Sequence, residues 1–372
     1  MNNFTKYTIA GLLLGSPAFS GGWEASRLDT SMMYNDGGYA EVATTSISYG
    51  VTATSGAAVG ANTHGMAKDQ TRTSFGFKTQ FGNIDVGLSS YNSGAIQLDG
   101  QATAAGVSLV PSADVTARSL ALLGRYRINE NMSAFAGLNK YSVETSTVTT
   151  LAAAYEVSGD EIAPVVGVAY EMKDIALRVE GIIQPKTDMT LTAKSAALAF
   201  IQAGGTASAV SGATLVVPQT ITLNFQSGIA EDTLLFGSIH QADWDNAQIN
   251  IPVNTTTSAP TIGSSFSSKT AYSVGLGRKI SDDLSLIASY STEDGGGSTS
   301  TDPFTLTDGY QTLGFAARYT RDNMTFTAGY GYTKVGDVLV SYATGVPALG
   351  TLTADYKDND ISAIGVKIGF SF

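Results

Sequence analysis

Any catalysis or metal binding by this chain would have to be built from very few groups. It has two histidines, His64 and His240, and no cysteine, so a conventional zinc site or a cysteine nucleophile lacks its ligands. His240 precedes Asp243 and Asp245. In a regular strand alternate residues face opposite ways, which turns His240 away from both carboxylates and leaves a polar cluster at a mouth instead of a metal site. His64 falls in a predicted loop, and nothing marks a nucleophile for a serine–histidine–acid arrangement. No catalytic residue, metal ligand or cofactor is expected, and the chain reads as a non-enzyme.

The informative polar groups are Arg125, Arg127, Arg178, Glu180 and Lys367, each on one parity of an alternating stretch. The same parity carries small or apolar residues such as Ala121, Leu123, Gly137, Ala169, Ile182 and Gly365. If that parity faces a lumen, the lining is partly apolar and suits a greasy solute better than ions or sugars. A lone cation there suits a carboxylate head group, which makes Arg125 and Arg178 candidate ligand-binding residues; a solvated pore lining is the plain alternative.

The elements that must position these groups are strands. In the last stretch, 358–372, Ile364, Val366, Ile368, Phe370 and Phe372 share one face, while Ala363, Gly365, Lys367 and Gly369 share the other. Fourteen such stretches are predicted: 39–52, 70–81, 84–92, 114–128, 132–145, 159–172, 175–186, 215–228, 233–251, 267–280, 284–293, 309–320, 324–342 and 358–372. The short connections, at Gly82-Asn83, Asn129 to Asn131, Lys173-Asp174, Ile229 to Asp232, Ser281 to Asp283 and Arg321 to Asn323, contain the Asn, Asp and Gly that tight turns favour. Links of a dozen residues or more alternate with them throughout. A β-sandwich has no reason to segregate loop lengths in this way, whereas a bacterial outer-membrane barrel does. An apolar face that ends on an aromatic residue also suits a last strand that closes on the first, since an open sheet edge in lipid leaves backbone groups unpaired.

Composition agrees. Only 14% of the 372 residues are charged, against about 25% in soluble proteins. Beyond the N-terminus no apolar run reaches the roughly 18 residues of a spanning helix. The net charge of −11 argues against a nucleic-acid partner. The long links are rich in Gly, Ser and Thr, as in 295–301, which is the composition of exposed, flexible loops; 187–214 is more apolar and open to a helical reading. Met1 to Ser20 has a lysine, a short apolar run and an Ala18-Phe19-Ser20 cleavage pattern, and is read as an export signal. Residues 21–38 show no alternation, yet contain Trp23, Leu28, Met32 and Met33, which are costly to leave in water. They are expected to fold inward as a short plug. The expected architecture is all-β: a transmembrane antiparallel barrel of about fourteen strands over 39–372, with a short N-terminal plug.

Taken together, VPQTITLNFQSGIAEDTLLFGSIHQADW (217–244), SKTAYSVGLGRKISDDLSLIASYSTEDGG (268–296), GDEIAPVVGVAYEMKDIALRVEGIIQPKTD (159–188) and the closing GVKIGFSF resemble the FadL family of outer-membrane fatty-acid and hydrocarbon transporters. The resemblance covers most of 39–372 and rests on the order and spacing of these segments. It implies a monomeric barrel in the outer membrane of a Gram-negative bacterium, among outer-membrane lipid and lipopolysaccharide, with passive uptake of long-chain fatty acids or similar hydrophobic molecules caught at the outer loops. It implies a lateral route past a distorted third strand, here at Asn92, Ser93 and Gly94, and a ligand-facing Lys269. The family's Asn-Pro-Ala hatch motif is absent and the plug is shorter than usual, so a more open lumen is also consistent. A general aqueous porin and a surface adhesin are the alternatives.

Overall fold

The computed structural model describes residues 22–55, 63–99, 111–150, 152–343 and 350–372; the predicted export signal, 1–20, lies outside the described residues. Fourteen antiparallel strands form a closed barrel: β1 Tyr39–Gly50, β2 Gln70–Phe81, β3 Ile84–Leu98, β4 Ser112–Arg127, β5 Met132–Thr149, β6 Ala153–Met172 and β7 Leu177–Gln184, then β8 Thr220–Ala230, β9 Thr233–Ala242, β10 Lys269–Lys279, β11 Leu284–Glu293, β12 Tyr310–Arg321, β13 Met324–Val335 and β14 Asp360–Ser371. Each pairs with the next, and β14 closes on β1 from Tyr39 opposite Ser371 to Gly50 opposite Asp360.

Alternation drives this arrangement. Leu120, Leu122, Ile364, Ile368 and Phe370 stand exposed on the outer wall, while Ala121, Leu123 and Lys367 are buried inside. An outer face of this kind belongs in lipid, and closure leaves no strand edge there. The tight turns use Gly82, Asp232 and Asp322 at φ of 60°, 56° and 53°, backbone that Gly and Asp tolerate best. Where strand ends differ from expectation, the reason is local. Pro218 lacks an N–H and so separates Thr214–Val217 from β8. Trp244–Asn246 turns as a 3-10 helix, ending β9 early, and Gly336 and Asp337 divide β13 from Val338–Ala343.

The long links are not the loose loops that their composition suggests. Thr52–Ser55, Thr63–Gly65, Thr299–Ser300, Val338–Ala343 and Thr351–Tyr356 form a five-stranded sheet, and Thr187–Thr190, Thr214–Val217, Ile249–Ile251 and Ile262–Gly263 form a four-stranded one. They share with the barrel an apolar core that includes Met189, Leu215, Leu306, Val340 and Tyr356. Its members come from links far apart in the chain, and composition counted link by link does not show that they meet. The apolar 187–214 stretch does contain one short helix, Leu198–Gln202.

Candidate functional site in the lumen and wall

The N-terminal segment, 22–38, runs inside the barrel. Met32 and Met33 pack with Leu123, Phe135, Val165, Ala169 and Ile182. Of these, Leu123, Ala169 and Ile182 are among the inward positions that the alternation points to as a greasy lining; they seat the segment instead. Parity tells which residues face inward but not what fills the space before them.

Polar anchors hold the same segment. The buried Glu180 carboxylate accepts hydrogen bonds from Thr30 (2.7 Å), from Asn224 (2.8 Å) and from the Tyr34 hydroxyl. Lys367 reaches Glu41 at 3.2 Å and Asp29 at 3.5 Å. At the short-turn end Lys78 pairs with Asp85 at 2.9 Å and donates to the Gly37 carbonyl at 2.8 Å. Buried charges persist only when paired in this way.

One place in the wall departs from the regular ladder. β2 and β3 pair from Phe81 opposite Ile84 to Phe75 opposite Ser90 and no further. β3 continues alone along β4, and its register shifts between Asn92 and Gly94, leaving Ser93 as the extra residue of a β-bulge. Alternation fails at the same point: Ser93, Gly94, Ala95 and Ile96 are all buried. β3 has turned into the lumen there, where both of its faces are covered. Its free edge is taken by the N-terminal segment. The Ala25 N–H donates to the Ser93 carbonyl (3.0 Å) and the Ala95 N–H to the Trp23 carbonyl (2.8 Å). Toward the loop end the two sides rejoin in a bridge between Ala67 and Leu98. Between these limits Gln70 to Ser74 pair only with β1.

A cavity of about 310 Å³ opens on this break. It is lined on one side by Arg72, Thr73, Ser74 and Phe75 of β2 and on the other by Tyr91 and Asn92 of β3, and it extends inward to Arg178, Glu180 and Lys367. Nearby, the Glu24 carboxylate accepts from Arg27 Nε (2.9 Å) and lies 3.3 Å from His240 Nε2; His240 Nδ1 is 2.8 Å from the Thr222 hydroxyl. Burial pushes the Glu24 carboxyl upward, but His240 and Arg27 outweigh it and hold the group at about 2.

The residues singled out from sequence are thus spread over three places. Arg125 lies at the short-turn end, donating to Ser133 (2.9 Å) and the Met33 carbonyl (3.1 Å), paired with Glu171 and stacked over Tyr34. Arg178 lies over the same Tyr34 ring at 3.9 Å and faces the cavity. Lys269 begins β10 at the loop end, 3.7 Å from Asp308 and 3.4 Å from the Asp294 carbonyl, and does not meet the arginines. Asn92, Ser93 and Gly94 are the bulge itself. His240 points into the lumen toward Glu24, not into a cluster with Asp243 and Asp245, which contact Asn246 and Ser268. Among the described residues no group of His, Asp and Glu is placed to hold a metal ion, and no helix is long and apolar enough to cross a membrane. Sequence reasoning overlooked Trp23 as a wall contact, Glu24, and Arg72. The parity of Arg72, shared with Ser74, Gly76 and Lys78, was the available signal for the last.

No protein-family profile and no curated protein matches the sequence. Solved structures do. A FadL homologue of Pseudomonas aeruginosa is 13% identical, with 92% of each chain covered and a TM-score of 0.72. The toluene transporter TodX of Pseudomonas putida is 13% identical over 96% of this chain and 98% of its own, with a TM-score of 0.62. TbuX, the Ralstonia pickettii toluene transporter, is 12% identical over the same shares, also at 0.62. This chain folds as a closed fourteen-stranded antiparallel barrel, and its structural neighbours include a FadL homologue and two toluene transporters.

Proposed function

We propose that the chain is a passive transporter of hydrophobic small molecules in the outer membrane of a Gram-negative bacterium, with long-chain fatty acids as the leading class of cargo. The observation that carries this reading is the interrupted β2–β3 ladder with a cavity lined from both of its sides. A solute that reaches the cavity has a sideways path into lipid and need not cross the polar short-turn end. The neighbours described as toluene transporters and as a FadL homologue support the same class of cargo. In this reading the exported chain begins near Gly21 and works as a monomer among outer-membrane lipid and lipopolysaccharide. The outer loops capture the solute, Arg178 faces the head group in the cavity, 22–38 acts as the plug, and Asn92, Ser93 and Gly94 form the lateral exit. Arg125 and Lys269 serve as secondary cationic contacts at the two ends of the path.

An aqueous porin is the competing reading, favoured by the charged groups around the cavity and opposed by the segment that fills the lumen. The two separate cleanly. Reconstituted protein should take up labelled oleate while passing no steady ion current across a planar bilayer. A stable open current without oleate uptake would replace the transporter with a porin.

A further inference from the structure

The inner wall of the barrel has two halves of different chemistry. From β4 to β7 it presents Leu123, Phe135, Val165, Ala169 and Ile182, and Met32 and Met33 cover them. From β8 to β13 one residue of each strand stands directly opposite one of the next: Asn224, Ser238, Ser273, Ser291, Thr312 and Thr333. Every member of this row carries a hydroxyl or an amide. Residues that face each other across neighbouring strands share one side of the sheet, and all but Thr333 line the cavity of about 310 Å³. The row forms a polar track along the wall that bounds the cavity.

Most of the track is already bonded. Asn224 donates to Glu180 at 2.8 Å, the Ser238 and Ser273 hydroxyls lie 2.8 Å apart, and those of Thr312 and Thr333 lie 2.7 Å apart. Ser291 stands between these pairs, and its hydroxyl bonds to none of the described residues. Ser289, the next inward residue of β11, also lines the cavity; it is 9% exposed and equally unpartnered. The residues opposite it are Gly275 and Gly314, which have no side chain to offer it. The Phe236 ring lies over Gly275, where a Cβ would come 2.3 Å from it, and it lines the same cavity. On β3, Ser89 is 7% exposed, faces the cavity and has no described partner either.

A buried hydroxyl without a partner costs free energy until something bonds to it. A bare hydrocarbon in this cavity leaves Ser289 and Ser291 unpaired, and a site with such groups discriminates against the ligand that lacks a matching one. A carboxylate only accepts, and its cation is Arg178. A hydroxyl on the ligand both donates and accepts, as serine does, while the Phe236 ring suits the apolar body that carries it.

We propose that Ser289, Ser291 and Phe236 form a subsite for a hydroxyl group on the body of an otherwise apolar cargo, so that hydroxylated fatty acids are favoured over unsubstituted ones. This rests on the transport reading above and narrows its cargo. Ricinoleate is oleate with one added hydroxyl, and the pair tests the subsite directly. With the signal of protein-free vesicles subtracted, reconstituted wild type should take up labelled ricinoleate roughly five-fold faster than labelled oleate at the same low concentration, about the worth of one hydrogen bond. Ser289→Ala combined with Ser291→Ala should bring that ratio to about one. Ser291→Thr, which keeps the hydroxyl, should retain the preference. Heat-modifiable migration on a gel identifies the folded variants. If wild type takes up oleate with no preference for ricinoleate, or if the folded double variant keeps the wild-type ratio, the subsite is wrong and the transport reading stands. If wild type takes up neither acid, the transport reading falls and the subsite falls with it.

Discussion

The wall where the barrel closes and the wall two strands away solve the same problem differently. β14 pairs without interruption with β1 on one side and with β13 on the other. Its outward residues, Ile364, Val366, Ile368 and Phe370, meet Tyr330, Ala328, Phe326 and Met324 across the β13 ladder. β1 and β2 begin alike, with Val42 opposite Phe75, but then place Thr44 opposite Thr73 and Ser46 opposite Thr71. All four of these hydroxyl residues are exposed on the outer face. A strand crosses the hydrocarbon in about ten residues, so counting from Phe81 this hydroxyl patch lies toward the outer half of the span. The break with β3 begins beside it. Where the ladder is complete the outer face is apolar; where the ladder stops, hydroxyls flank the break and an internal segment completes the strand edge. Lipid tolerates an interruption only when another group takes up the backbone's hydrogen bonds, and here Trp23 and Ala25 do so for Ser93 and Ala95.

Erasing this difference should have the largest effect. Deleting Ser93 removes the bulge and lets β3 continue in register along β2, as β14 does along β1. Oleate uptake is expected to fall about ten-fold or more, as when a rate-limiting opening is lost, while the barrel melts at the same temperature or higher; uptake at the wild-type rate would mean that the break is not the exit.

The internal segment can be probed by pH. Glu24 is held at about 2 against an ordinary value of 4.5. A depressed acid stabilises its docked state fully above its free pKa and loses that contribution as protons bind. The Glu24 contribution to docking of 22–38 should therefore weaken as pH falls from about 4.5 towards 2, followed by tryptophan emission. Glu24→Gln should reduce that acid dependence, leaving the part due to Asp29, whose carboxyl burial pushes up but Lys367 and Ser31 hold below its usual range; a transition unchanged when Asp29→Asn is added would assign it to another group.

The smallest effect belongs to the outer face itself. Thr44→Val with Thr73→Val should change barrel stability by less than about 1 kcal/mol, because lipid-facing substitutions of similar shape disturb no packed core. Denaturant midpoints measured in detergent would show it, and a larger loss would mean that these hydroxyls bond to the wall.

Much of this could be read along the chain. The alternation of Ile364 to Phe372 gave the outer face of β14, and Gly82-Asn83 and Arg321 to Asn323 gave the turns, because side-chain parity and turn backbone depend on neighbours in sequence. Arg178 and Glu180 were legible as inward groups for the same reason. Their partners were not: Glu180 meets Thr30, and Trp23 meets Gly94, across separations that no local pattern encodes. The links misled because the apolar residues that build the cap, such as Leu306, Val340 and Tyr356, are diluted among Gly, Ser and Thr within each link.

By itself, then, the sequence determined that this chain forms strands of one lipid-facing and one inward face, joined by alternating short and long connections, since a two-residue period needs only near neighbours. Only the tertiary structure decided where the wall breaks, which inward positions hold the N-terminal segment and which surround the cavity. Those outcomes depend on residues far apart in the chain competing for the same backbone groups and the same volume inside a closed barrel.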